Sequence, residues 1–118
     1  MKRKKLKSLK VLKKKAWGLV REYVIKRDNG ICFTCGKPGN QAGHFVHVNH
    51  LDYNLINIHC QCLYCNMFLH GNLGEYAVRL GEEISRELLS RKHEIHKFTR
   101  SEMEGIISGL QELIGGTK

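Results

Sequence analysis

The sequence predicts an α+β domain in which a small zinc-stabilised core of short strands is flanked by N-terminal and C-terminal helices. Two observations carry this. Cys32/Cys35 and Cys62/Cys65 are Cys-x-x-Cys pairs separated by 26 residues, and apolar residues recur at helical spacing outside the pairs but not between them. At 118 residues the chain is one domain by size, and one this short buries a limited apolar core unless a metal or partner helps. Residues 1–15 read as a basic arm, and 16–118 as the single domain.

Leu6, Leu9, Leu12 and Ala16, then Leu19, Val20, Tyr23 and Val24, keep three- and four-residue spacing up to Asp28-Asn29-Gly30. This is a helix, firm over about 16–27, with a start left open within the arm and a glycine stop. Residues 30–40 are turn-rich and fit a short hairpin around Cys32 and Cys35. His44 to Val48 alternates weakly and reads as a short strand, followed by an irregular connection. From Cys62 to about Leu69 the chain can turn helical, which would put Asn66 and His70 on one face. Tyr76, Leu80, Ile84 and Leu88 recur every four residues, with Gly81 dividing the region into two helices. Thr99 to Glu102 and Ser101 to Glu104 are both capping-box patterns, and Met103, Ile106, Ile107, Leu110 and Ile114 line a last helix ending at Gly115-Gly116. That stripe is core or dimer surface.

The formal charge of +9 is concentrated. Residues 2–15 hold nine Lys/Arg and no acid, leaving eleven of each sign in 16–118. A basic arm on a balanced body suits a polyanion, with nucleic acid the natural candidate and Lys13, Lys14 and Lys15 its contacts; the rival is a solvated tail. No apolar run approaches the roughly 18 residues of a membrane span. Two close cysteine pairs with Cys60 left over fit metal ligation in a reducing compartment, the cytoplasm, better than disulfides.

Four thiolates can surround one Zn²⁺ tetrahedrally, and a closed four-cysteine shell has no open position, so this zinc is structural and any chemistry needs a second site. Cys60 reads as a buried thiol. Five of the seven histidines fall between 44 and 70. No spacing singles out His47 or His50, which read as loop or phosphate-contacting residues, while His59 either meets substrate or packs by the cysteines. Trp17 reads as a core anchor, with base stacking a lesser alternative.

The order Gly43-His44, Asn57-Ile58, Cys62-x-x-Cys65-Asn66 resembles the HNH, or His-Me finger, nucleases with a ββα-metal core, as an H-N-N variant. Ala42-Gly43-His44-Phe45, Asn57-Ile58-His59, Gln61-Cys62, Cys65-Asn66, Gly71-Asn72 and Glu75-Tyr76-Ala77 resemble, more narrowly, the NinG family of phage recombination endonucleases. Tyr23-x-Ile25-x-Arg27-Asp28 and Phe98-Thr99-Arg100 extend the resemblance over about residues 16–114. It implies a divalent-metal-dependent DNA endonuclease acting on branched or recombination-intermediate DNA.

Phosphodiester hydrolysis needs a base for water, a cation on the phosphate and stabilisation of the leaving oxygen. The resemblance implies His44 as base and Asn57 as the residue orienting it or its loop. It implies Asn66 as a ligand of a catalytic Mg²⁺ or Mn²⁺, with His70 and Gln41 as further ligands. Gln41 departs from the family, where a carboxylate is expected. A neutral amide binds Mg²⁺ more weakly, and an imidazole at His70 would shift preference toward transition metals. Two rivals stand beside this reading: a zinc-ribbon nucleic-acid binder without catalysis, and an HNH nuclease selecting duplex sequence. A homodimer is a further expectation, because symmetric cutting of two strands needs two sites.

Overall fold

The computed structural model describes residues 8–116. The arm before Ser8 lies outside the described residues, but the rest of it is helical. Helix α1 spans Leu9–Arg27, starting where the Ser8 hydroxyl accepts the Val11 N–H at 3.2 Å. It ends with Lys26 and Arg27 in its last turn, and Asn29 and Gly30 follow at φ of 57° and 67°, a left-handed stop. The firm stretch over 16–27 is therefore the C-terminal part of one longer helix, and the boundary drawn at residue 15 falls inside it.

After the stop, an isolated bridge pairs Ile31 with Pro38, closing the first cysteine knuckle. Strand β1, Gln41–His44, then pairs antiparallel with β2, Ile58–Gln61, with Gln41 opposite Gln61 and His44 opposite Ile58. The predicted strand over 44–48 is thus displaced: pairing ends at His44, and a 3₁₀ turn follows at Asn49–Leu51. Gly43 explains the shift. A Cβ there would lie 1.8 Å from the Gln61 amide oxygen, so only glycine lets that buried side chain cross the strand. We expect Gly43→Ala to destabilise the domain by about 1–3 kcal/mol, the usual cost of overpacking a core, seen as a lower urea midpoint at unchanged slope.

The second knuckle leads into a π-helical turn, Tyr64–Phe68, closed by the Leu69 N–H on the Tyr64 carbonyl at 2.9 Å. Three consecutive left-handed residues, His70, Gly71 and Asn72, then break the chain away. The helical face shared by Asn66 and His70 does not form, because His70 stands exposed beyond the turn. Helices α2 (Leu73–Leu80) and α3 (Glu82–Ser90) meet at Gly81, whose φ of 92° divides them as its position suggested. Helix α4 (Arg100–Gly116) opens on a reciprocal capping box: Thr99 Oγ1 accepts the Glu102 N–H at 3.2 Å, and Glu102 accepts the Thr99 N–H at 3.0 Å.

Leu12 and Ala16 cluster with Met103 and Ile107, and Val20 and Val24 with Leu110, Ala42, Ile58 and Cys60. Helices α1 and α4 therefore form one layer under the hairpin, and the α4 stripe is core. A second cluster of Phe45, Val46, Leu51, Tyr76 and Leu88 fixes α2 and α3 to the loop after β1. Tyr76 bolts these together, its hydroxyl donating to the Gly43 carbonyl at 2.7 Å. Among the described residues no helix is long and apolar enough to cross a membrane.

Candidate functional site

The sulfurs of Cys32, Cys35, Cys62 and Cys65 all lie within 4.8 Å of one another. Cys35 Sγ and Cys62 Sγ are 3.7 Å apart, far beyond a disulfide bond. A tetrahedron with zinc–sulfur bonds of about 2.3 Å has edges of roughly 3.8 Å. These four cysteines can hold a structural metal such as zinc. Hydrogen-bond donors already surround them: the Cys65 N–H points at Cys62 Sγ, Asn72 Nδ2 at Cys65 Sγ, and the Thr34 hydroxyl lies 3.3 Å from Cys32 Sγ.

Burial opposes a thiolate at Cys32, but Thr34 and nearby backbone groups outweigh it and bring the thiol down to about 6. At Cys35 the backbone at Lys37 favours the thiolate, yet burial and the three neighbouring sulfurs prevail and push it up to about 12. Four crowded thiols can share little negative charge by themselves. A divalent cation at their centre removes that restriction. Cys60 is no ligand: it is buried on β2, and burial pushes its thiol up to about 11.

Strand alternation sends Gln41 and Gly43 to one face of β1, and Ala42 and His44 to the other. On the first face the π-helical turn delivers Asn66, whose Nδ2 donates to Gln41 Oε1 at 2.8 Å. Gln61 is wholly buried there. Its Nε2 donates to the Gly71 carbonyl at 2.8 Å and to Thr34 Oγ1 at 3.2 Å, tying the knuckles together, while its Oε1 has no partner among the described residues. A Cβ on Gly43 would fall 1.8 Å from that oxygen and 3.0 Å from Asn66 Oδ1. Two amide oxygens thus lie beside Gly43, and the unpartnered one, Gln61 Oε1, is of the kind that a cation or a water satisfies.

On the other face, His44 is flanked by residues distant in sequence. Its ring stacks on Trp17 at 4.9 Å and 11°, and Nε2 lies 3.4 Å from the Asp52 carbonyl and 3.7 Å from the Asp52 carboxylate. With the side chain only 14% exposed, burial lowers the imidazole pKa below its ordinary 6.5 against the pull of Asp52. The ring is neutral at pH 7 and can accept a proton. His47, exposed, sits 5.6 Å from it.

Asn57 does not reach the imidazole. Its buried amide accepts the Val46 N–H at 2.9 Å and donates to the Val46 carbonyl at 3.0 Å, taking over the ladder where β1 stops. It holds the loop that carries Asp52 rather than the ring, the second of the two ways of orienting His44. Two histidines placed with the substrate turn inward instead. His50, 4% exposed in its side chain, lies against Glu94 at 3.6 Å. His59 stacks on Phe33 of the first knuckle at 3.9 Å and meets the Tyr76 hydroxyl at 3.2 Å; burial, then Arg27, lowers its pKa to about 4. Lys13, Lys14 and Lys15 are exposed on α1 but diverge around it, Lys15 projecting away from Lys13.

The residues that sequence reasoning did not place in the site are Asp52, Gln61, Thr34 and Arg21, which donates to the Asn40 carbonyl just before β1, together with Trp17 as partner of His44. Gln61, adjacent to Cys62 and without a charge to draw attention, carried a signal only in its position.

A small α+β domain with a two-stranded hairpin and four cysteines placed to hold a metal is the class that fold and site define. The family model described as "Bacteriophage Lambda NinG protein" matches residues 1–116. Protein ninG of Escherichia phage lambda is 33% identical over 110 residues, covering 84% of this chain and 53% of that protein. Protein ninG of Salmonella phage P22 is 30% identical over 109 residues, covering 84% and 54%. The chain belongs to the NinG family of bacteriophage proteins. It spans about half the length of these relatives, and no solved structure matches it.

Proposed function

We propose that this chain is a divalent-metal-dependent DNA endonuclease with an HNH-type, ββα-metal site, hydrolysing phosphodiester bonds of branched or recombination-intermediate DNA. The observation that carries the reading is what β1 brings together: on one face Gln41 meets Asn66 from the turn after the second cysteine knuckle, and at the end of the strand, on the other face, stands the imidazole of His44, whose pKa burial lowers. His44 would take the proton from the attacking water, its ring fixed by Trp17 and by the Asp52 carbonyl. Asn57 positions that loop from behind. The oxygens of Asn66, Gln61 and Gln41 are the donors for a Mg²⁺ or Mn²⁺ ion, which when bound neutralises charge on the phosphate.

A second reading, a zinc-ribbon nucleic-acid binder without catalysis, is favoured by one specific contact. Gln41, where the resemblance implies a carboxylate, spends its oxygen on Asn66. One experiment separates the two. Supercoiled plasmid incubated with the protein and Mn²⁺ or Mg²⁺ gives nicked or linear product for the nuclease; a gel shift with intact plasmid at every metal concentration gives the binder. Repeating the incubation on a four-way junction, a fork, single strand and linear duplex identifies the substrate class.

A further inference from the structure

One face of α1 runs along the candidate site and touches it at three successive turns. Lys13, Trp17 and Arg21, spaced four apart, lie on one side of the helix. Lys13 lines a cleft of about 510 Å³ with Asn49, Asp52 and Lys97. Trp17 stacks on His44. Arg21 donates from Nε and Nη2 to the Asn40 carbonyl, at 3.3 and 3.0 Å, one residue before Gln41.

The chemistry of Arg21 differs from that of four other arginines on this body. Arg27, Arg79, Arg86 and Arg91 each pair with a carboxylate. Among the described residues Arg21 has no carboxylate partner; its guanidinium is clamped by a neutral carbonyl, exposed, with its remaining N–H groups and its full charge unspent. A side chain so held is ordered in advance and loses little freedom on meeting an anion. The acids nearby do not pair with it: Glu22, the next residue along α1, does not share its face, and Asp52 faces Lys13 and His44 instead.

We propose that Lys13 and Arg21 are two stations of a phosphate-binding track along α1, gripping backbone phosphates on either side of the Trp17-stacked His44. Eight residues of helix separate them, about 12 Å at 1.5 Å per residue, so an anionic strand laid along the helix passes the imidazole between its two grips. Lys97, across the cleft from Lys13, extends the cationic lining at that end. The ligand class is a polyphosphate backbone, and the assignment rests on the DNA reading above while specifying the path the strand takes.

The test compares Lys13→Ala/Arg21→Ala with Lys26→Ala/Lys92→Ala, which removes the same charge from exposed positions away from the track. Dissociation constants for single-stranded DNA are measured from 50 to 300 mM salt. Each lost phosphate contact lowers the log–log slope by about 0.7 on single strands, so the track variant should lose roughly 1.4 while the control keeps the parent slope. Both replaced track residues are exposed, and matching thermal melts verify the fold. If both variants lose slope equally, or the track variant loses none, the track does not exist although the nuclease reading stands. A track variant that loses slope in a protein that nicks no DNA supports the track and removes the nuclease. A parent chain that binds no DNA sinks both.

Discussion

Replacing Cys65 by Ser, or stripping the metal with a strong chelator, should abolish the cooperative unfolding transition of this domain. The expectation follows from how little else holds the middle of the chain. Residues 28–72 contain two four-residue strands, one bridge and two single turns, and a two-stranded hairpin is marginal in water by itself. Closing four thiolates around zinc contributes about 10–16 kcal/mol in zinc-finger peptides, comparable with or larger than the 5–15 kcal/mol total stability of a typical domain. Losing one ligand therefore outweighs the remaining margin. The damage spreads because Ala42, Ile58 and Cys60 of the hairpin share a core with Val20 and Val24 of α1 and Leu110 of α4. One zinc per chain by elemental analysis, and loss of the melting transition in Cys65→Ser, is the expected pair of results. A zinc-free Cys65→Ser protein melting at the parent temperature would show that the sulfurs cluster without a metal.

The same prediction has a pH direction. A thiol whose folded pKa is depressed, as at Cys32 from 9.0 to about 6, contributes stability that is fully present above 9.0 and lost as pH falls through 6. Ligation must follow that sign, since each bound thiolate has released a proton. Zinc should leave the protein on acidification, and the melting temperature should fall with it.

What could be read from residue order and what could not divides by the reach of the interaction. The C-terminal part of α1, the break at Gly81 and the Thr99 capping box are set by spacings of four residues or fewer, and they stand where periodicity put them. The four sulfurs also converge as their pairing implied, because each knuckle is a local structure. Strand β1 escaped that reasoning. Nothing in Gln41-Ala-Gly favours a strand, and its pairing is fixed by Gln61, twenty residues away, through a glycine that leaves room for it. His70 failed for a local reason: three left-handed residues after the π-helical turn override the four-residue spacing from Asn66. Trp17 and Arg21 became site residues only through contacts to His44 and Asn40, which no pattern along α1 announces.

Replacing His44 by Ala should lower phosphodiester cleavage by about 10²–10⁴-fold, the range that a positioned general base supplies, with zinc content and melting transition retained. The ring, though largely enclosed, is not part of the apolar clusters, and its loss leaves the β1–β2 ladder intact because His44 pairs through its backbone. The pH profile distinguishes a base from a mere wall for Trp17. Burial holds the imidazole pKa below 6.5, with Asp52 opposing, so the acid limb of the cleavage rate should have its midpoint below 6.5 and the rate should be flat through neutrality. Asp52→Asn removes the opposing charge. It should move that midpoint lower still, leaving more of the ring in its base form at pH 6, provided the Asp52 carbonyl keeps its place near Nε2. A structural histidine would show neither behaviour, since its titration would shift the melting temperature and not the rate at a fixed fraction folded. An Asp52→Asn profile identical to the parent's, or a His44→Ala protein that cuts as well as the parent, would remove His44 from the reaction and leave the domain as a zinc-bound platform for nucleic acid.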